Sequence, residues 1–130
     1  MEVATHHHID RRLCGVPTSV GHGQATVRLE TTGEMAADAQ GLVHGGFLFG
    51  AADLAAMVAV NDPNVVLAAA EVRFLAPVRV GAVVDFAATV KAEKGRDHQI
   101  VCEGKVGERA VFHGEFRCLV LDQHVLERSG

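Results

Sequence analysis

The sequence contains no tryptophan or tyrosine, only three prolines and three cysteines, and no long run of one charge. Its 12 lysines and arginines are outnumbered by 16 aspartates and glutamates, which gives a net charge of −4 at pH 7. A chain without a basic cluster or a basic amphipathic helix is not typical of proteins that bind nucleic acid or lie on a membrane surface. We therefore predict no nucleic-acid partner and no membrane partner.

The sequence also has little of what exported and membrane-spanning proteins carry. Its N-terminus has no apolar run of the signal-peptide type. The longest apolar run, residues 45–60, is too short to span a bilayer and contains Asp53. These features predict a cytoplasmic protein.

The three cysteines are widely spaced and form no CxxC pair: Cys14, Cys102 and Cys118. Such residues are more typical of reduced core positions than of a disulfide framework or a zinc site. The adjacent histidines at 6–8 point in different directions on a strand or loop, so they cannot easily share one ion. We predict a solvated histidine segment, no metal and no redox cofactor.

Length and composition predict one compact domain over residues 1–130, since 130 residues of which 48% are hydrophobic can form one usable core. Residues 1–22 show no periodicity and are predicted to be irregular. Residues 24–30 alternate apolar and polar side chains, as in a half-buried strand. A loop over residues 31–43 precedes the apolar stretch 45–60.

The stretch 45–60 is apolar on every side, which predicts a buried helix ending at the Asn-Asp-Pro-Asn run of residues 61–64. Four further strands are predicted over residues 65–78, 83–94, 98–106 and 109–121. The order β-α-β-β-β-β predicts the α+β class. A mostly antiparallel sheet curled around the one helix is the simplest way to bury both.

Asp53 is the only ionisable side chain between residues 45 and 60. A buried carboxylate is costly unless it is compensated, and such groups are more often used than idle. Gly46, Gly50 and Asp53 share one helical stripe, on which bare backbone lets a ligand approach closely. Unpaired N–H groups at the helix start suit a carbonyl oxygen that gains negative charge. The structural alternatives are a hydrogen bond from Asp53 to a neighbouring strand or partner helix, and tight packing at Gly45.

The N–H groups at the helix start and the Asp53 carboxylate lie far apart along the helix axis. At about 1.5 Å rise per residue, Asp53 lies roughly 10 Å along the axis from Gly46. An aspartate side chain cannot bridge that gap to a carbonyl held at its own helix start. If both groups act on one substrate carbon, they come from different subunits, which predicts a homodimer with composite sites.

Two segments resemble a known family. Residues 41–53, with His44-Gly45-Gly46 followed by Asp53, resemble the HGG…D signature of hot-dog-fold acyl-CoA thioesterases of the phenylacetyl-CoA thioesterase-like kind. Residues 72–81 resemble the strand and proline turn of that family. The resemblance implies a hot-dog domain. The sequence leaves open whether the homodimers predicted above pair into a homotetramer. The resemblance further implies an acyl-CoA substrate and no separate cofactor, since coenzyme A is part of that substrate.

The resemblance also implies roles for residues of the first segment. Asp53 would be the nucleophile or the general base that activates water. The Gly46 backbone N–H, with Gly45 beside it, would polarise the thioester carbonyl, and His44 would orient that region or contact the thioester. Where the family often has an asparagine that positions water, this chain has Asp38. A second acid near Asp53 would raise one of the two pKa values; alternatively, Asp38 points away.

In the second segment, Phe74 and Arg79 are the predicted substrate-binding residues. A coenzyme A site needs cations near its rim, and five residues are candidates for contacting the phosphates: Arg73, Arg79, Lys91, Lys94 and Arg96. The chain has Leu67 where some members have a serine or threonine, so hydroxyl assistance is not expected. The helix has no glutamate, and the HxxxGxxxE pattern of hot-dog dehydratases is absent.

Two other functions stay open from the sequence. Hot-dog domains also act as acyl-CoA sensors, although 22 irregular residues are too few for a helix-turn-helix. An enoyl-CoA hydratase on the same fold would need an acid–base pair, and the spacing of His44 and Asp53 matches that poorly.

Overall fold

The computed structural model of the chain describes residues 1–128. In chain order its elements are α1 (Arg11–Cys14), β1 (Val16–Gly21), β2 (Gln24–Glu30), α2 (Gly45–Val60), β3 (Val65–Phe74), β4 (Val83–Lys94), β5 (Asp97–Val106) and β6 (Arg109–Val120). Short 3-10 turns lie at Gly33–Met35 and Val125–Glu127. The predicted bounds of α2, β2 and β4 are confirmed to the residue.

One six-stranded sheet surrounds the long helix. The strand order is β1-β2-β4-β5-β6-β3, and every neighbouring pair is antiparallel. Helix α2 contacts all six strands, and it lies in one apolar core with side chains from the sheet. The predicted α+β architecture, an antiparallel sheet curled around one buried helix, is confirmed. Within residues 1–128, no helix is long and apolar enough to cross a membrane.

Residues 1–10 contain no helix or strand, but Arg11–Cys14 forms α1 and Val16–Gly21 forms β1. The prediction of an irregular segment over residues 1–22 is therefore wrong for its second half. The Asp10 side chain accepts hydrogen bonds from the N–H groups of Arg12 and Leu13, at 2.9 and 3.3 Å, and so caps α1. Strand β1 then pairs with β2 through a tight turn at Gly23, whose φ is +72°. Because β1 lies at the sheet edge and buries none of its side chains fully, its sequence lacks the alternation that indicates a half-buried strand.

The histidine segment is also less solvated than expected. His7 and His8 are exposed, but His6 is half-buried. Its Nδ1 lies 2.8 Å from the Thr5 hydroxyl oxygen, and burial lowers the pKa of His6. The segment is therefore packed onto the domain at His6.

Strand β3 ends at Phe74, four residues earlier than predicted. Past Phe74 the chain turns, and the N–H of Leu75 donates to the carbonyl of Val111 at 2.9 Å. The Val78 carbonyl accepts from the N–H of Val43 at 2.8 Å. The proline turn therefore supports the backbone that leads into α2.

Two glycines on the inner face of the sheet make room for phenylalanine rings. A Cβ on Gly104 would lie 2.7 Å from Cε1 of Phe86, and one on Gly114 would lie 2.7 Å from Cε2 of Phe116. The cysteines are free, with Cys102 and Cys118 fully buried as predicted and Cys14 half-buried. Burial raises the pKa of both core thiols to about 12.

Candidate functional site

Residues 36–43 hold the start of α2 in place. Asp38 Oδ1 accepts from the N–H groups of Gln40 and Leu42, at 2.9 and 3.2 Å, and so closes a turn. Leu42 then bridges Arg79 of the proline turn, and the His44 N–H donates to the carbonyl of Met35 at 2.8 Å. The helix start is therefore tied to two neighbouring segments before the helix begins.

Two backbone N–H groups in the first turn of α2 precede the first hydrogen bond of the helix. His44 is the N-cap, and the first bond runs from the Phe47 N–H to the His44 carbonyl at 3.1 Å. The N–H groups of Gly45 and Gly46 precede it and have no partner within the helix. Since the His44 side chain does not cap the helix either, this end of α2 can donate to a bound oxygen.

Both glycines of this turn lie against rings. A Cβ on Gly46 would be 3.0 Å from His44 Nε2, and one on Gly45 would be 3.1 Å from Cε1 of Phe74. Phe74 is 52% exposed and packs edge-on against Phe112, with ring centroids 5.5 Å apart. The structure thus brings together four predicted site residues, of which Phe74 comes from the end of edge strand β3.

Asp53 lies on the stripe of α2 that the rest of the chain leaves partly open. Gly46 is exposed, Gly50 and Asp53 are half-buried, and a Cβ on Gly50 would meet no atom within 4 Å. Within residues 1–128, Oδ1 of Asp53 is buried and has no hydrogen-bond partner. Burial raises the pKa of Asp53 to about 6. The carboxylate is therefore desolvated, and Oδ1 gains no hydrogen bond from a neighbouring strand.

The pKa of Asp53 predicts how activity depends on pH. A nucleophile or a general base acts as the carboxylate, so kcat/KM should rise with pH through about 6 and then level off. The rise should be about tenfold per pH unit below the midpoint, because a single proton is lost. The measurement is a kcat/KM profile from about pH 4.5 to 8.5 with one thioester. Activity that falls as pH rises through this range would instead assign Asp53 as a proton donor.

Asp38 does not contribute to the raised pKa of Asp53 in its own chain. It is exposed and engaged in its turn, and burial alone accounts for the raised pKa of Asp53. Of the two alternatives for Asp38, the single chain therefore supports the one in which it points away. A water-positioning role would need a second subunit.

Arg79 lines a cavity of about 490 Å³ next to the start of α2, together with Asp38, Gln40 and Arg109. The sequence provided no signal for Arg109, since it follows an ordinary Gly-Glu turn and reaches the cavity only through the pairing of β6. Arg96, another predicted phosphate contact, forms an ion pair with Asp122 instead. Within residues 1–128, no group of three or more histidines, cysteines or acids is placed to hold a metal ion.

Comparison with known structures supports the fold. Uncharacterized protein PH1136 from Pyrococcus horikoshii superimposes with a TM-score of 0.96 and 46% identity over 98% of each chain. An HP0420 homologue from Helicobacter felis has a TM-score of 0.88 and 34% identity over 92% of this chain and 98% of its own. E. coli PaaI, from the phenylacetic acid degradation operon, shares the hot-dog fold with a TM-score of 0.79 and 23% identity over 86% of this chain and 83% of its own.

A longer protein also matches in sequence. Methylthioribose-1-phosphate isomerase from Aquifex aeolicus is 50% identical over 116 residues, or 89% of this chain. The chain spans only 25% of that relative, so the isomerase name describes a much longer protein. The family model of the thioesterase superfamily matches residues 40–111, a segment that holds His44, all of α2, Phe74 and Arg79. The chain belongs to the thioesterase superfamily.

Proposed function

We propose that this protein is an acyl-CoA thioesterase, which hydrolyses its substrate at a site shared by two subunits. The observation that carries the proposal is the buried Oδ1 of Asp53, which has no hydrogen-bond partner within residues 1–128. It lies on the open stripe of the helix whose first turn presents the Gly46 N–H, which is also without a partner in this part of the chain. Membership of the thioesterase superfamily supports the same reaction.

The proposed chemistry uses the two ends of this stripe. The Gly46 N–H and the helix dipole stabilise the negative charge that develops on the thioester oxygen. Asp53 either removes a proton from the attacking water or attacks the carbonyl itself. In the second case the C–S bond breaks, the thiolate leaves, and water then cleaves the mixed anhydride. Both routes consume one water and yield a carboxylic acid and a thiol.

His44 and Phe74 shape the approach to the Gly46 N–H. The imidazole lies over Gly46, so it can contact the thioester as the carbonyl docks. The exposed ring of Phe74 lies over Gly45 and offers an apolar wall to the substrate. The two rings therefore limit how a thioester can reach the helix start.

The second subunit has a free place to bind. Strand β3 lies at the sheet edge, where one side of its backbone is unpaired within the described chain. The middle of the strand, Ala68–Glu71, is exposed, and three of these four side chains are alanine. Antiparallel pairing of two β3 edges would cover this surface and continue the sheet across the dimer. It would also bring a second α2 towards Phe74.

The test is a thiol-release screen over short, branched, aromatic and long acyl-CoA thioesters. We expect release of free thiol from at least one class. An enoyl-CoA hydration assay runs beside it, in which no product is expected. Binding of acyl-CoA without thiol release from any class would contradict the enzyme proposal and support the acyl-CoA sensor.

A further inference from the structure

We propose that the cavity beside the start of α2 binds the nucleotide end of coenzyme A, with the guanidinium groups of Arg79 and Arg109 on its phosphates. We call it the arginine cavity; its apolar wall consists of Leu42, Pro77, Val78, Ala82, Val106 and Val111, and its polar residues are Arg79, Arg109, Asp38, Gln40 and Gly41. The inference rests on the proposed function and deepens it, because it selects coenzyme A over a carrier protein.

The size and lining of the arginine cavity suit a nucleotide. Its volume of about 490 Å³ lies in the range of small-molecule sites. Such sites combine an apolar wall with a few convergent polar groups, which here would face a purine ring and its phosphates respectively. The Gln40 side chain adds a group that can both donate to and accept from a base.

Both guanidinium groups are available to an anion. Within residues 1–128, neither Arg79 nor Arg109 forms an ion pair with a carboxylate. Arg109 donates from Nη2 to the Pro77 carbonyl at 3.0 Å, which holds its side chain at the cavity and leaves other donors free. A guanidinium is a planar fork that can hold a phosphate through two parallel hydrogen bonds.

The acidic group in the cavity does not cancel this charge. Among the lining residues Asp38 alone is acidic, and its Oδ1 already accepts from the N–H groups of Gln40 and Leu42. Two arginines against one carboxylate leave the lining positive overall. In contrast to Arg79 and Arg109, four other arginines of residues 1–128 already form ion pairs with carboxylates: Arg12 with Glu34, Arg28 with Asp85, Arg96 with Asp122 and Arg117 with Asp97.

Backbone hydrogen bonds connect residues that line the arginine cavity to the segments that carry the proposed reaction site. Leu42 of the cavity wall lies two residues before His44, and Val78 accepts the N–H of Val43. Val111, another residue of the lining, accepts the N–H of Leu75, the neighbour of Phe74. A ligand whose phosphates sit on Arg79 and Arg109 would therefore extend its other end towards the rings at the helix start. The substrate of a carrier protein has one phosphate and no base, so it would leave most of this cavity unused.

The first experiment measures binding of free coenzyme A by calorimetry. The Arg79→Met/Arg109→Met double variant should bind about tenfold to a hundredfold more weakly than wild type, since charge-assisted hydrogen bonds are lost. Arg28→Met, which removes the same charge from a residue paired with Asp85, is the matched control and should bind as wild type does. Equal affinities for wild type and the double variant would overturn the proposal.

The second experiment separates the nucleotide from the rest of the substrate. The same acyl group is supplied on coenzyme A and on pantetheine, which lacks the nucleotide. In the double variant KM should rise about tenfold or more for the coenzyme A thioester, with kcat nearly unchanged and with pantetheine kinetics as in wild type. Equal losses on both substrates would mean that the arginines only support the fold, and this would refute the assignment.

Failure of this inference differs from failure of the proposed function. If the protein binds coenzyme A through both arginines but releases no thiol, the cavity assignment is supported and the thioesterase proposal is contradicted. If the protein releases thiol but has the same KM for acyl-CoA and acyl-pantetheine, in wild type and in the double variant, the thioesterase proposal is supported and the cavity assignment is contradicted.

Discussion

The Asp53→Asn variant is expected to lose thioesterase activity by about a thousandfold in kcat, with KM nearly unchanged. Asparagine has the size and shape of aspartate, but its amide neither accepts a proton from water nor attacks a carbonyl. The groups proposed to bind the substrate, the Gly46 N–H and the arginine cavity, are not altered. The loss should therefore appear in the chemical step, which single-turnover kinetics on acyl-CoA measures directly.

A matched control removes a carboxylate that has no contact with the site. Asp85 is exposed on β4 and pairs with Arg28, and Asp85→Asn should keep full activity. If Asp53→Asn keeps more than about a tenth of wild-type kcat, the carboxylate is neither nucleophile nor general base.

The same substitution should stabilise the fold at neutral pH. Burial raises the pKa of Asp53 from 3.8 to about 6, so ionising Asp53 costs folding free energy. That cost is absent below about pH 4, grows between about pH 4 and 6, and is fully present above about 6. In urea unfolding above pH 6, Asp53→Asn should therefore have a free energy of unfolding higher than that of wild type by on the order of 1–3 kcal/mol. This difference should disappear as the pH is lowered towards 4. Circular dichroism is the suitable probe, because the chain has no tryptophan or tyrosine.

The elements predicted best are those whose sequence pattern reports their own burial. Helix α2 is apolar on every side, and it ends where Asn61 adopts a left-handed conformation just before Pro63, so both bounds could be predicted. Edge strand β1 could not be predicted, because none of its side chains is fully buried and its sequence shows no clear alternation. The end of β3 at Phe74 could not be predicted for a related reason: residues with high β propensity continue past Phe74 and do not show where strand pairing stops.

The candidate site also contains residues that could be predicted from a local sequence pattern and residues that could not. The glycine pair and the lone acid are visible in the sequence because they lie on one helix with fixed spacing. The contact between Phe74 and Gly45, and the approach of Arg109 to Pro77, depend on how β3 and β6 pair. Arg79 and Arg109 lie 30 residues apart in the sequence, so no local pattern could join them. Which helix start acts together with Asp53 is not determined by the fold of one chain either, since under the proposed function it belongs to a second subunit.

The second large effect is expected when two inactive variants are combined. Asp53→Asn removes the reacting carboxylate but keeps the helix start. Gly46→Val does the reverse, since its Cβ would lie 3.0 Å from His44 Nε2 and the branched side chain would cover the N–H. Each variant alone should be nearly inactive. If each site takes its helix start from one subunit and Asp53 from the other, a mixed dimer contains one fully intact site.

Refolding the two variants together in equal amounts should restore about a quarter of wild-type activity, because half of randomly formed dimers are mixed and each has one intact site of two. The control mixes Asp53→Asn with the Asp53→Asn/Gly46→Val double variant, a combination in which no site can be complete. It should stay at the level of the separate variants. The roughly 10 Å between Gly46 and Asp53 along one helix is the reason to expect recovery. Activity that stays at the level of the separate variants in the first mixture would mean that both groups act within one chain, and that the substrate rather than the partner subunit spans this distance.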